Sequence, residues 1–69
     1  MGIKSIQNEL GRRLHDLRVE KGLTQEEVAF AAKISRDHLS NIEHGKHPIN
    51  IKNLYKLASY FKVDMKYFF

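Results

Sequence analysis

Cysteine and tryptophan are absent from this chain of 69 residues, and proline occurs once. Without cysteine the chain can form no disulfide and offers no thiolate to a metal, which is compatible with a reducing compartment. Long apolar runs are also missing, because the longest, 28–32, is far shorter than the roughly 20 residues of a membrane-spanning helix. The N-terminus lacks a signal-peptide pattern. We therefore expect one soluble, cytoplasmic domain covering residues 1–69, with no membrane partner.

Acidic residues are scarce in the second half of the chain. Twelve Lys and Arg stand against eight Asp and Glu, for a formal net charge of +4, and no acidic residue lies between Glu43 and Asp64. That interval holds four lysines and two histidines: His44, Lys46, His47, Lys52, Lys56 and Lys62. Such a stretch favours binding to phosphate, although lysines on helix surfaces also serve only to keep a fold solvated. Charge alone leaves the function open.

Apolar spacing indicates helices along the whole chain. The first amphipathic stripe consists of Ile6, Leu10, Leu14 and Leu17. Gly22 can adopt the left-handed conformation that ends this helix. A fourth helix is indicated by apolar positions 54, 57, 58 and 61, with Asn50 as a plausible N-cap, and Asp64 begins a last short turn. Because no strand pattern occurs, we predict an all-α, compact fold of five helices around one core.

Two helix starts of similar design lie eleven residues apart, at Thr24 and Ser35. Thr24 is a predicted N-cap and Glu27 can complete a capping box, whereas Ser35 caps the following helix without one. Gly45 can close that helix. Because only residues 31–34 separate the two helices, they must cross steeply, which predicts a helix-turn-helix whose second helix is prominent.

Four groups of motif residues occur in a fixed order. They are Gly-Leu-Thr-Gln-Glu-Glu-Val-Ala at 22–29, Ile-Ser at 34–35, Leu-Ser-x-Ile-Glu-x-Gly-Lys at 39–46 and Leu-Ala-x-x-Phe-x-Val at 57–63. From Leu10 to Phe69 the chain resembles the phage repressor and Cro family, often called XRE-like. The resemblance implies a lambda-repressor-like domain that binds an operator in double-stranded DNA as a dimer. One departure is Lys33, where the family turn often has glycine; a left-handed Lys33 would cost roughly 1 kcal/mol.

The third helix carries polar residues on the face opposite its core positions: Arg36, Asp37, Ser40, Asn41 and His44. Arg36 can bond guanine and Asn41 adenine, each through two hydrogen bonds, and Ser40 can bond either base. Asp37 can accept from a cytosine amino group, or it can instead stabilise the helix start, since its charge opposes phosphate. In the resembled family, the positions of Arg36, Asp37, Ser40 and Asn41 lie nearest the bases. The alternative is an ordinary solvated helix face.

Other residues are predicted to bind the DNA backbone or to support the fold. The backbone candidates are Gln25, Ser35, His44 and Lys46. In the resembled family, the position of Gln25 also braces the recognition helix. Arg18 and Glu43 match a family pair that forms a structural salt bridge between the first and third helices.

The C-terminal segment 65–69 has more aromatic surface than a small fold easily hides. Phe68 is expected in the core with Val63. Met65, Tyr67 and Phe69 match family positions used for dimerisation, so they are the predicted dimer interface; a frayed end or full burial is the alternative. A dimer would place two recognition helices ~34 Å apart on a near-palindromic operator.

Catalysis, cofactors and small-molecule ligands have no evident site in the sequence. The histidines lack a carboxylate cluster, a nucleophile elbow or a phosphate loop, and His38, His44 and His47 lack a fourth metal ligand. The alternative to operator binding is an antitoxin or protein-interaction adaptor of the same fold. Repressor, activator and restriction-modification controller share this kind of domain, and the sequence does not separate them.

Overall fold

The computed structural model describes residues 2–69, which form four α-helices and a short 3-10 helix. The helices are α1 (Ile3–Glu20), α2 (Gln25–Ala32), α3 (Arg36–Glu43) and α4 (Ile51–Phe61), and the 3-10 helix is Met65–Phe68. The all-α prediction is confirmed, but the fifth helix is only a 3-10 turn. Its hydrogen bonds run from Tyr67 to Asp64 and from Phe69 to Lys66, each closing a three-residue step.

Side-chain caps begin α2, α3 and α4 at the residues that the sequence indicates. The Thr24 hydroxyl accepts from the Glu27 amide at 3.0 Å, and the Glu27 carboxylate accepts from the Thr24 amide at 3.0 Å, so the capping box is present. The Ser35 hydroxyl accepts from the His38 amide at 3.0 Å. The Asn50 side chain caps α4 in the same way. These local bonds satisfy amides that a helix leaves without partners at its start.

Residues in the left-handed backbone conformation cap the ends of α2 and α4. Two more lie just beyond the ends of α1 and α3. Gly22 and Gly45 have φ of 69° and 73°, as predicted. Lys33 has φ of 58°, so the turn of the helix-turn-helix does carry the conformational cost of roughly 1 kcal/mol. Lys62 has φ of 59° after α4, which the sequence pattern did not indicate.

The core lies between α1, α2, α3, α4 and the 3-10 turn. Its members are Leu10, Leu14, Leu17, Val28, Ala29, Ala32, Leu39, Ile42, Leu54, Leu57, Ala58, Phe61 and Phe68. Val63 packs against this cluster, partly buried. Ile6 is 45% exposed, contrary to its place in the apolar stripe, because the first turns of α1 border a surface groove instead of the core. Across residues 2–69, no helix combines the length and the apolar composition that crossing a bilayer requires.

Candidate nucleic-acid interface

The helix-turn-helix consists of α2, a three-residue turn and α3. Leu39 and Ile42 fasten α3 to the core, with 0% and 1% exposure. On the other side, the side chains of Arg36 and Asp37 are 59% and 92% exposed. Their guanidinium and carboxylate groups approach to only 3.9 Å, and an exposed pair of this kind contributes little stability. Both side chains therefore remain accessible to a ligand on this face.

Ser40 and Asn41 are half-buried, which corrects the expectation that both stand on the open face. Each is adjacent in sequence to a buried residue, Leu39 or Ile42, and successive helical side chains diverge by only about 100°. They lie on the flanks of α3, between its buried and its open side.

Glu43 is a buried charge at the end of α3, with 1% of its side chain exposed. Arg18 holds both carboxylate oxygens: Nε donates to Oε2 at 2.7 Å and Nη2 to Oε1 at 3.0 Å. The Gln25 amide donates to Oε1 at 3.1 Å, and Nδ1 of His15 lies 3.0 Å from the same atom. One carboxylate thus connects α1, α2 and α3.

The surroundings of Glu43 also control its ionisation. Burial raises the pKa of Glu43, but hydrogen bonds from Arg18, His15 and Gln25, together with the charge of Arg18, hold that pKa below the ordinary value of 4.5. Arg18 in addition donates to the Leu23 carbonyl at 2.8 Å, just before α2 begins. The carboxylate is therefore charged at neutral pH and orients both helices of the helix-turn-helix.

The residues predicted to bind the DNA backbone differ in which hydrogen-bonding groups remain available to a ligand. Gln25 uses one amide N–H on Glu43, and its amide has a second N–H. Ser35 accepts a bond at its hydroxyl oxygen, so the hydroxyl proton can be donated elsewhere. His44 has Nδ1 at 2.7 Å from the Ser40 carbonyl, which only accepts, so Nδ1 carries the proton. A neutral His44 therefore presents an acceptor at Nε2 and could donate to phosphate from that atom only when protonated.

The sequence interpretation missed Gly11, which is buried where α1 crosses α3. A Cβ atom at this position would collide with the Ile42 carbonyl oxygen and lie 2.9 Å from that of Glu43. The two helix backbones touch here, which only glycine permits. A glycine inside an amphipathic helical pattern was the available signal, since alanine would be favoured there by about 1 kcal/mol unless packing forbids it.

The predicted dimer residues differ in exposure. Met65 is half-buried against the core, Tyr67 is 37% exposed, and Phe69 is 66% exposed. Phe69 borders an apolar groove of about 230 Å³, here called the N-terminal groove. Its rim includes Ile3 and Ile51, which are 77% and 71% exposed and were not anticipated. The exposed apolar surface is thus larger than the C-terminal segment.

The histidines form no metal cluster among residues 2–69, where no group of three or more ligating side chains occurs. The rings of His38 and His47 approach to 5.9 Å between centroids, at a tilt of 37°. His44 instead bonds the Ser40 carbonyl.

Comparison with known proteins gives the family. The sequence profile of the HTH_3 family, described as helix-turn-helix, matches residues 14–68. The chain belongs to this helix-turn-helix family. The resemblance to phage repressor and Cro proteins is thereby confirmed, and the HTH_3 family comprises DNA-binding transcriptional regulators, not enzymes.

Relatives of this HTH_3 chain include short and long proteins. It is 39% identical over 56 residues to the ImmF control region 10 kDa protein of Bacillus phage phi105, covering 81% of this chain and 62% of that protein. It is 34% identical over 59 residues to the HTH-type transcriptional regulator RamB of Mycobacterium tuberculosis, covering 86% of this chain but 12% of RamB. The chain therefore matches only a small part of this longer relative.

A solved structure shares the fold over nearly its whole length. The restriction-modification controller protein C.AhdI from Aeromonas hydrophila superposes with a TM-score of 0.87 at 32% identity. The match covers 91% of this chain and 96% of C.AhdI. The restriction-modification controller therefore shares the fold of this chain over nearly all of its own solved chain.

Proposed function

We propose that this chain binds a near-palindromic operator in double-stranded DNA as a homodimer, with α3 in the major groove, and regulates transcription in the cytoplasm. The observation that carries the proposal is the exposure of Arg36 at the start of α3. The end of the same helix is held in place by the buried Arg18–Glu43 ion pair. The Arg36 guanidinium can donate two hydrogen bonds to one guanine. A rigid helix that presents such a group is suited to recognise a sequence rather than phosphate alone.

The remaining contacts divide into base and backbone roles. Asn41 would bond adenine and Ser40 either base from the flanks of α3, and Asp37 would accept from cytosine or support the helix start. Phosphates would be bound by Gln25, Ser35, His44 and Lys46, which lie around the two ends of α3 and at the start of α2. These backbone contacts would orient the domain without selecting a sequence.

A second copy of the chain would cover the C-terminal segment and the N-terminal groove together. Met65, Tyr67 and Phe69 alone offer limited area, because Met65 is partly buried against the core and only 37% of Tyr67 is exposed. A stable interface buries roughly 800 Å² on each partner. Ile3 and Ile51 extend the exposed apolar surface around Phe69 toward that requirement.

The proposal is tested by selecting bound sequences from random DNA duplexes. The affinity for the best site is then measured across a range of salt concentrations. We expect a site with two inverted half-sites and an affinity that falls steeply with salt, because bound phosphates release counterions. Recovery of no common sequence, or a complex insensitive to salt, would contradict operator binding. That result would favour the alternative, an antitoxin or adaptor that binds protein.

Arg36→Ala and Lys46→Ala should separate base recognition from backbone binding. Arg36→Ala is expected to cost roughly 1–3 kcal/mol on the best operator and to relax preference at one position in each half-site. Lys46→Ala should weaken all duplexes alike and reduce the salt slope. The measurement is affinity for the operator, for single-base variants and for a random duplex. Equal losses on every sequence from both changes would refute the assignment of Arg36.

Phe69→Asp should abolish the dimer while leaving the fold intact. Phe69 is largely exposed, so its replacement removes little core, but a charge there would be desolvated against a second copy. Phe30→Asp is the matched control, since Phe30 is 87% exposed on α2, away from the N-terminal groove. Sedimentation should show a dimer for the parent and for Phe30→Asp and a monomer for Phe69→Asp. A dimer in all three would place the interface elsewhere.

A further inference from the structure

One stripe of α1 follows α3 and the turn after it. His15 meets the Glu43 carboxylate, and Gly11 lies against the Glu43 backbone. One turn earlier, the Asn8 side chain lies directly over Gly45, where a Cβ atom would collide with it. Positions 4, 8, 11 and 15 recur at steps of four and three and therefore share this face of the helix. The N-terminal turns of α1 are thus held beside the end of α3.

Lys4 continues the stripe one turn beyond Asn8 and borders a cleft of about 530 Å³. The lining residues are Lys4, Gln7, Asn8, His44, Gly45 and Lys46. No acidic side chain is among these lining residues. Elsewhere on α1 the arginines have acidic partners, since Arg12 pairs with Glu9 and Asp16, Arg13 with Glu9, and Arg18 with Glu43. The cleft, which we call the α1 cleft, brings together two lysines and two amides from separate parts of the chain.

The α1 cleft has a defined shape because its two walls touch. Gly45 needs its positive φ of 73° and also leaves the room that Asn8 occupies. The 44–46 turn therefore packs directly against the first turns of α1. Lys4 on α1 and Lys46 in the 44–46 turn line the same cleft, an arrangement that neither segment produces alone.

We propose that the α1 cleft binds a phosphate of the DNA backbone beside each half-site. Lys4 and Lys46 supply the positive charge, and the side-chain amides of Gln7 and Asn8 donate to the phosphate oxygens. The inference rests on the proposed function, because the cleft adjoins the end of α3 and reaches DNA only if α3 enters the major groove. It adds α1 to the parts of the chain that orient the domain on the duplex.

Lys4→Ala tests the inference, with Lys21→Ala as the matched control at the opposite end of α1. Both lysines are exposed, so neither change should alter the thermal unfolding midpoint. Lys4→Ala is expected to reduce the slope of log affinity against log salt by about 0.9 for each protomer bound. Between 1 M and 0.1 M salt, the variant should therefore gain about eightfold less affinity per protomer than the parent does. Operator and random duplex should lose affinity equally, and Lys21→Ala should match the parent.

Asn8→Asp provides a second variant that places a negative charge in the α1 cleft with little change of volume. It should weaken both duplexes at least as much as Lys4→Ala does, and the loss should shrink as salt rises. A parent that binds its operator with a steep salt slope, while Lys4→Ala keeps the slope of Lys21→Ala, would overturn this inference alone. A parent without sequence preference or salt dependence would overturn the proposed function and this inference together.

Discussion

Glu43→Ala is expected to lower the free energy of unfolding by about 3–5 kcal/mol, because it leaves the guanidinium of Arg18 without its partner inside the protein. The Arg18 side chain is only 12% exposed, so water cannot replace the lost carboxylate fully. Gln25 and His15 lose an acceptor at the same time. Urea unfolding followed by circular dichroism measures the change. Operator affinity should fall as well, although Glu43 is not expected to touch DNA.

Glu9→Ala is the matched control, since Glu9 also pairs with arginine, in this case Arg12 and Arg13, but its side chain is 44% exposed and its loss should cost far less stability. The pH dependence gives a further check with Glu43→Gln. Because the pKa of Glu43 lies below its ordinary value of 4.5, the stability from its charge is fully present above that value. It is lost as pH falls through the lower pKa of the folded state. A parent–variant difference that persists unchanged into strong acid would contradict the role of the charge.

Gly11→Ala is expected to destabilise the protein by about 3 kcal/mol, the upper part of the range for overpacked sites. The obstructing atoms are the carbonyl oxygens of Ile42 and Glu43, so α1 and α3 would have to separate. Helix propensity alone would predict the opposite change in stability, because alanine in a helix is favoured over glycine by about 1 kcal/mol. Thermal and urea unfolding measure the change, and operator affinity should decrease because α3 moves.

Ser5→Ala on the same helix is the control for this substitution. Ser5 is exposed in the first turns of α1, so alanine there should be neutral or slightly stabilising. If Gly11→Ala also raised the unfolding midpoint, the close contact between the backbones of α1 and α3 would be wrong. If both variants kept full operator affinity, the position of α3 would not depend on this contact.

Helix ends were predictable because their causes are local. Thr24 bonds Glu27 three residues later, Ser35 bonds the amide of His38, and Gly22 and Gly45 supply left-handed conformations at single positions. The fifth helix was overestimated, because a start signal at Asp64 does not determine whether the following bonds close four-residue or three-residue steps. The base and phosphate contacts, and the dimer interface, stay predictions.

The sequence by itself determined the helical class, the helix-turn-helix and the Arg18–Glu43 pairing that its family resemblance implies. Only the tertiary structure decided which further groups meet Glu43, why Gly11 cannot carry a side chain, and how Lys4 comes to line one cleft with Lys46. The physical reason is distance along the chain. Caps and apolar spacing act within one or two helical turns, whereas the crossing of α1 over α3 depends on how all the helices share one core.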